Sequence, residues 1–244
     1  MEALIRLEPP VIELDPDVEP PPLVQSYYAA RLAHDGDYGL RTERPKTLAV
    51  LDFSNGSIAD HERWEPMTRG FASLVIYAMG GATDLKLVER ERVQWLLDEQ
   101  DLATAGRVDA GTAARAGKLL GVQHAAIGSF ISTGKDLLLG IRLVDVETGE
   151  IVLSETTKGR ADDFDGLVET LSLQLARAIN VELDPEVETG SLDASLSYSE
   201  GLALIEHGDY EGAHAKFMQA LEHDPTYGRA REKAESLRPL LAAR

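Results

Sequence analysis

Several stretches of this chain carry the residue types that catalysis or ligand binding would use. Gly111 to Lys118 (GTAARAGK) has the outline of a phosphate-cradling loop, in which backbone N–H groups and a lysine hold phosphates and a following hydroxyl reaches Mg²⁺. Its glycines are one residue too far apart for that motif, Leu119 stands where the hydroxyl would be, and the segment reads as helix. Gly80-Gly81 lacks the spacing of a dinucleotide turn and reads as a helix stop. Gly128-Ser129 lacks the flanking pattern of a nucleophile elbow. The histidines are His34, His61, His124, His207, His214 and His223, and no two have the i, i+4 spacing that sets two imidazoles over one metal on a helix. His207 and His214 flank an expected helix–helix turn as surface polar residues, and His124 reads as a hydrogen-bonded core histidine in an apolar strand. With 42 Asp and Glu residues, any two carboxylates paired as an acid/base dyad would be chance. No catalytic, cofactor-binding or metal-binding residue is assigned, no cofactor is expected, and the chain reads as a non-enzyme. An unrecognised hydrolase would need perturbed carboxylates in a deep pocket.

The composition narrows the partners. The 244 residues hold 24 Lys and Arg against 42 Asp and Glu, a net charge of −18. Such a surface opposes binding to a phosphate backbone, where affinity comes from cations displacing counterions, and opposes docking on anionic lipid. Neither nucleic acid nor direct membrane insertion is expected. The absence of cysteine removes disulfides, thiolate ligands and cysteine acylation, and suits either redox compartment. No apolar run reaches the roughly 18 residues of a spanning helix. The opening MEALIRLEPP lacks the basic and apolar regions of a signal peptide, so the chain as written is expected to be soluble.

The elements that would position any site form three regions. Residues 1–46 hold Pro9, Pro10, Pro16 and Pro20 to Pro22 among acids, which predicts an extended tether, with a short helix over Val24 to His34. From Thr47 a domain to residue 183 is expected. TLAVLDF (Thr47 to Phe53) reads as a strand covered on both faces, and Glu62 to Met79 as a helix with a stripe from Trp64 to Ala78. Leu85 to Glu89 reads as a strand and the following segment through Leu97 as a helix. Asp109 is an expected N-cap for a helix over Ala110 to Leu120 that Gly121 ends. Val122 to Ser132 is a strand, and two more strands meet across Thr148-Gly149. A helix from Phe164 to Ile179 closes the domain. The order β-α-β-α-α-β-β-β-α predicts an α/β fold, a mixed sheet with helices packed on it.

After a linker from Asp184, residues 192–244 read as a small all-α appendage. Gly201 and Ala213 would let two antiparallel helices approach, Phe217 would fill the gap, and His207-Gly208-Asp209 would make the turn. The segment EGLALIEHGDYEGAHAKFMQALEHDP resembles a tetratricopeptide repeat, with Tyr227 to Leu241 as a capping helix. One repeat cannot bury its own face, so it should pack on the α/β domain or on another copy.

The stretch Leu85 to Phe130 resembles the core of the CsgG-like curli-secretion family, whose relatives include FlgO-type and TolB-N-terminus-like envelope proteins and lipoprotein activators of penicillin-binding proteins. The matching elements are TLAVLDF, Leu87-Val88-Glu89-Arg90, Gly117 to Gly121, Gly128, and the hairpin from Val144 to Ile151, together spanning roughly Thr47 to Asn180. Leu119, Leu120 and Gly121 are expected to pack their helix close to the sheet. The resemblance implies a non-enzymatic bacterial cell-envelope protein, periplasmic or outer-membrane associated, that supports curli-type assembly or secretion by binding protein partners. Activation of a peptidoglycan synthase is the alternative, and a homo-oligomer is open. Gly128 to Gly159 is long enough only for sheet strands, without inserted lipid-facing hairpins, and the family's lipid-carrying cysteine is missing, so a soluble member that is not itself a pore is expected.

Overall fold

The computed structural model describes residues 45–58, 60–99 and 109–242. The expected tether and its Val24 to His34 helix lie outside these residues. Strand β1 (Lys46–Val50) begins one residue before the expected start, and its Leu48, Ala49 and Val50 are wholly buried. They are apolar in succession because alternate side chains enter different cores: Leu48 and Val50 one, Ala49 the other.

The sheet runs β3-β1-β4-β5-β6, formed by β1, β3 (Leu85–Leu87), β4 (His124–Ser132), β5 (Asp136–Asp145) and β6 (Ile151–Arg160). β1 is parallel to β3 and β4, whereas β4, β5 and β6 form an antiparallel meander. The short β2 (Ser54–Asn55) pairs with the far end of β4. This is the mixed α/β sheet that the element order predicts.

The chain leaves the β1 ladder sooner than the apolar run suggests. Leu51 donates to Ala126 O, while Phe53 turns to donate to Thr68 O at the start of the next helix. The expected Glu62 to Met79 helix is two, α1 (His61–Trp64) and α2 (Met67–Met79). Pro66 immediately precedes α2, where its missing N–H costs no helical hydrogen bond. α3 (Arg90–Glu99) and α4 (Ala110–Leu120) cover the opposite face of the sheet. Asp109 caps α4 as expected, accepting from Thr112 N at 2.7 Å, and Gly121 ends it at φ 70°.

The close approach of α4 to the sheet falls only partly where the sequence suggests: Leu120 packs against the core there as expected. Leu119 is 54% exposed, and it is Gly117 that meets the sheet: a Cβ there would lie 2.4 Å from Val146 Cγ2. The β5–β6 turn is also longer than Thr148-Gly149 alone, because Asp145 Oδ1 accepts from both Thr148 N and Thr148 Oγ1 and delays the next strand to Ile151.

α5 (Phe164–Ala178) lies beside α2 on the first face, and together they seal a core built from Phe71, Phe130, Leu139, Phe164 and Leu171. Residues 181–188 follow without helix or strand. Val181, Leu183 and Val187 turn inward against this core, while Glu182, Asp184 and Glu186 face water. Helices α6 (Leu192–Glu206), α7 (Tyr210–His223) and α8 (Gly228–Ala242) follow. α6 and α7 are packed through Gly201, whose Cβ would stand 2.5 Å from Phe217 Cε1, with Ala213 and Phe217 fully buried. Tyr198 stacks obliquely on Phe217 and Tyr227, with centroids 5.4 and 5.0 Å away. α8 buries Ala230, Ala234 and Leu237 and turns charged residues outward, so it closes the hairpin's end.

Candidate functional site

The helical hairpin is seated on α2, the first of the two packing partners expected for it. Gly70 of α2 admits Ser199 of α6 so closely that a Cβ on Gly70 would lie 2.1 Å from Ser199 Oγ. Ser199 is wholly buried and donates to Ser195 O at 2.6 Å, which holds its hydroxyl within its own helix.

Two arginine-centred networks flank this contact. Arg90, only 5% exposed, donates to Asp52 Oδ1 at 3.3 Å and to Glu206 Oε1 at 2.8 Å. Arg69 reaches the other Glu206 oxygen at 2.7 Å. Glu206 is the last residue of α6, where the helix dipole disfavours a carboxylate. Its place there is explained by the two guanidinium groups from the α/β part. Burial pushes the Asp52 carboxyl above the ordinary aspartate range, against the pull of the neighbouring Arg90.

In the second network Arg229, near the start of α8, donates through N and Nε to the two Glu188 oxygens at 2.8 and 2.7 Å. Its Nη1 bonds Ser73 O and Oγ of α2 at 2.9 and 2.8 Å. The guanidinium lies over Tyr77 at 4.7 Å from the ring centroid, a cation–π contact that again ties α8 to α2. Burial raises the Tyr227 hydroxyl far above its ordinary pKa, so the ring beside Arg229 stays a neutral phenol.

Between these networks is a groove of about 370 Å³ lined by Tyr77, Glu89, Arg90, Tyr198, Arg229 and Lys233, among others. Its size suits a small ligand. Its two arginines pair with Glu188, Glu206 and Asp52 within the molecule, so most of their charge is engaged by the groove's own walls, while Arg229 Nη2 has no hydrogen-bond partner among the described residues.

The sequence stretches with chemical potential are scattered. Gly111 to Lys118 lies within helix α4, Gly80-Gly81 follows the end of α2, and Gly128-Ser129 lies within β4. His61 Nδ1 faces Ser57 O at 3.0 Å and its Nε2 faces Glu65 at 3.3 Å. His207 Nδ1 faces Ala203 O at 2.7 Å in its own helix. His124 departs from the expected core role: it is half-buried at the start of β4, its Nδ1 has no hydrogen-bond partner among the described residues, and burial lowers its pKa. His34 lies outside the described residues. Among the described residues no group of three His, Asp or Glu is placed to hold a metal.

Among the described residues, no helix covers the upper half of one face of the meander. Cross-strand register sets Ile131, Leu138 and Lys158 in one row, Ser129, Gly140 and Thr156 in the next, and Ile127, Arg142 and Ser154 in a third. α3 and α4 cover Ile127 and the rows below it, through Ala125, Val144 and Val146. Above that, Ile131 is 40% exposed, and Ser129, Arg142, Thr156 and Lys158 are exposed as well. Nothing in the sequence announces this face, because which half of a sheet the helices reach depends on helix length and docking height.

Residues 41–136 match the family described as curli production assembly/transport component CsgG. No curated protein matches the chain. Among solved structures the chain is similar to the C-terminal domain of LpoB from Escherichia coli, with 16% identity over 53% of this chain and 93% of that one, at a TM-score of 0.35. It is also similar to lipoprotein GNA1162 from Neisseria meningitidis (15% identity, 56% and 97% coverage, TM-score 0.39) and to the PelC dodecamer from Paraburkholderia phytofirmans (12%, 58% and 91%, 0.36). The family match makes residues 41–136, the first half of the α/β part, similar to CsgG.

Proposed function

We propose that this chain is a non-enzymatic protein-binding factor of the bacterial cell envelope, periplasmic or associated with the outer membrane, that supports assembly or secretion of a surface structure. The observation that carries this reading is the CsgG family match over residues 41–136, which coincides with the sheet's parallel half and its helices. One feature of the structure supports a binding role rather than a pore. Residues Gly128 to Gly159 are spent on β4, β5 and β6, paired with one another in the sheet. Among the described residues no helix is long and apolar enough to cross a membrane. The helical hairpin adds a second, rigidly seated surface of the repeat-like kind that proteins use to hold other proteins.

Fractionation of cells that express the native protein tests this. Recovery with periplasm or outer membrane is the expected result, and recovery wholly in cytoplasm overturns it. Activation of a peptidoglycan synthase is the alternative reading. It predicts a faster synthase on addition of the full chain, and an unchanged rate rejects it.

A further inference from the structure

The open half of the β4–β6 face combines three properties. It is apolar at one end, where Ile131 and Leu138 are cross-strand neighbours, and the Gly56 backbone abuts Ile131. It is bare in the middle, at Gly140 between the hydroxyls of Ser129 and Thr156. It is cationic at the other end, at Arg142. The flanking cations are neutralised at home, Lys158 by Asp136 at 3.2 Å and Arg160 by Asp162 at 2.7 Å. Arg142 is exposed and makes no hydrogen bond or ion pair with a described residue. On a chain with net charge −18, a face whose unbalanced charge is positive is complementary to carboxylates.

Resting on the protein-binding reading above, we propose that this face docks an acidic segment of another protein, with an apolar side chain seated on Ile131 and Leu138 and a carboxylate on Arg142. Leu138 and Arg142 are four residues apart on one strand, so the two anchors are about 14 Å apart. A span of that length along β5 is matched by a polypeptide segment rather than by a small anion. Gly140, lying between the anchors, lets the segment's backbone come close to the sheet.

The test is quantitative capture from an envelope extract on immobilised full chain, comparing wild type with Arg142→Glu, Ile131→Asp, Arg142→Lys and, as a remote charge control on α8, Arg238→Glu. The altered side chains on the face are exposed, and circular dichroism checks that each variant stays folded. Loss of about tenfold or more of the captured partner is expected for Arg142→Glu and Ile131→Asp, with retention by Arg142→Lys and Arg238→Glu. A photo-cross-linking residue in place of Thr156 should label the partner within an acid-containing peptide. Equal capture by all variants overturns the proposal and leaves the protein-binding reading standing. Capture only of the chain itself overturns it in favour of self-association. If wild type retains nothing, the binding reading falls and this face with it.

Discussion

Glu206 is the residue on which the seam between the two parts depends most. It accepts from Arg90 and Arg69 at once, at a helix end that would otherwise repel it. Glu206→Gln removes the charge that balances both arginines and leaves Arg90, almost fully buried, with Asp52 as its remaining described carboxylate partner. Because Glu206 is itself about a fifth exposed, the expected loss is about 2–3 kcal/mol, below the range for a fully buried pair, read by urea denaturation. Asp52 predicts a pH dependence of the opposite sense to a usual paired carboxylate. Its folded pKa is raised above 3.8, so the folded state favours the protonated form. Its stabilising contribution is complete below the unfolded value and is lost as pH rises through the raised one. Asp52→Asn should therefore gain stability relative to wild type as pH is taken upward from below 3.8 toward neutrality; a difference that is flat, or that moves against the variant, contradicts this assignment. None of these ion pairs is visible in the sequence. Arg69 and Arg90 are 137 and 116 residues from Glu206, and local spacing carries no information at that range.

At the scale of elements, local signals were readable where local physics decides. Asp109 caps α4 because its carboxylate reaches Thr112 N within one turn, and Gly201, Ala213 and Phe217 meet because a tight turn brings α6 and α7 together. What was not readable is decided by packing between elements: the early exit of β1 toward Thr68, the role of Gly117 rather than Leu119, and the seat of α6 on α2. This seat can be tested by sign reversal. Gly70→Ala places a methyl into Ser199 Oγ and should cost about 1–3 kcal/mol by overpacking. In a Ser199→Gly background the Ser199 clash is gone and the next neighbour is the flexible Met67 Sδ, 3.0 Å away, which can give, so alanine's better helix propensity should make the same Gly70→Ala change neutral or stabilising by up to about 1 kcal/mol. Chemical denaturation of the four chains checks this, and equal costs in both backgrounds would show that α6 does not sit where we describe it.

At the scale of the molecule, the helical hairpin is a built-in part of the body rather than a loosely tethered appendage. Residues from Pro45 onward form one compact unit, tied across the seam by Gly70–Ser199, by Arg90 and Arg69 on Glu206, and by Arg229 on Ser73. The CsgG-like part alone would lose the cover over α2 and the carboxylate that neutralises its two arginines. The functional account depends on this unity, because a binding body presents fixed surfaces only if its parts do not move independently. The α/β class, the strand order along the chain and the CsgG likeness were legible in residues Thr47 to Asn180, since most elements there carry their own local signal, an apolar run, a helical stripe or a cap, even though β1 sits between β3 and β4 in the sheet. The open sheet face and the seam were not legible, because both arise from where distant elements stop. The most direct test is scanning calorimetry of the full chain at neutral pH, with Glu206→Gln alongside. A single cooperative transition with equal calorimetric and van't Hoff enthalpies is expected, shifted downward as a whole by the substitution. Two resolved transitions, with only the smaller one responding to Glu206→Gln, would contradict it.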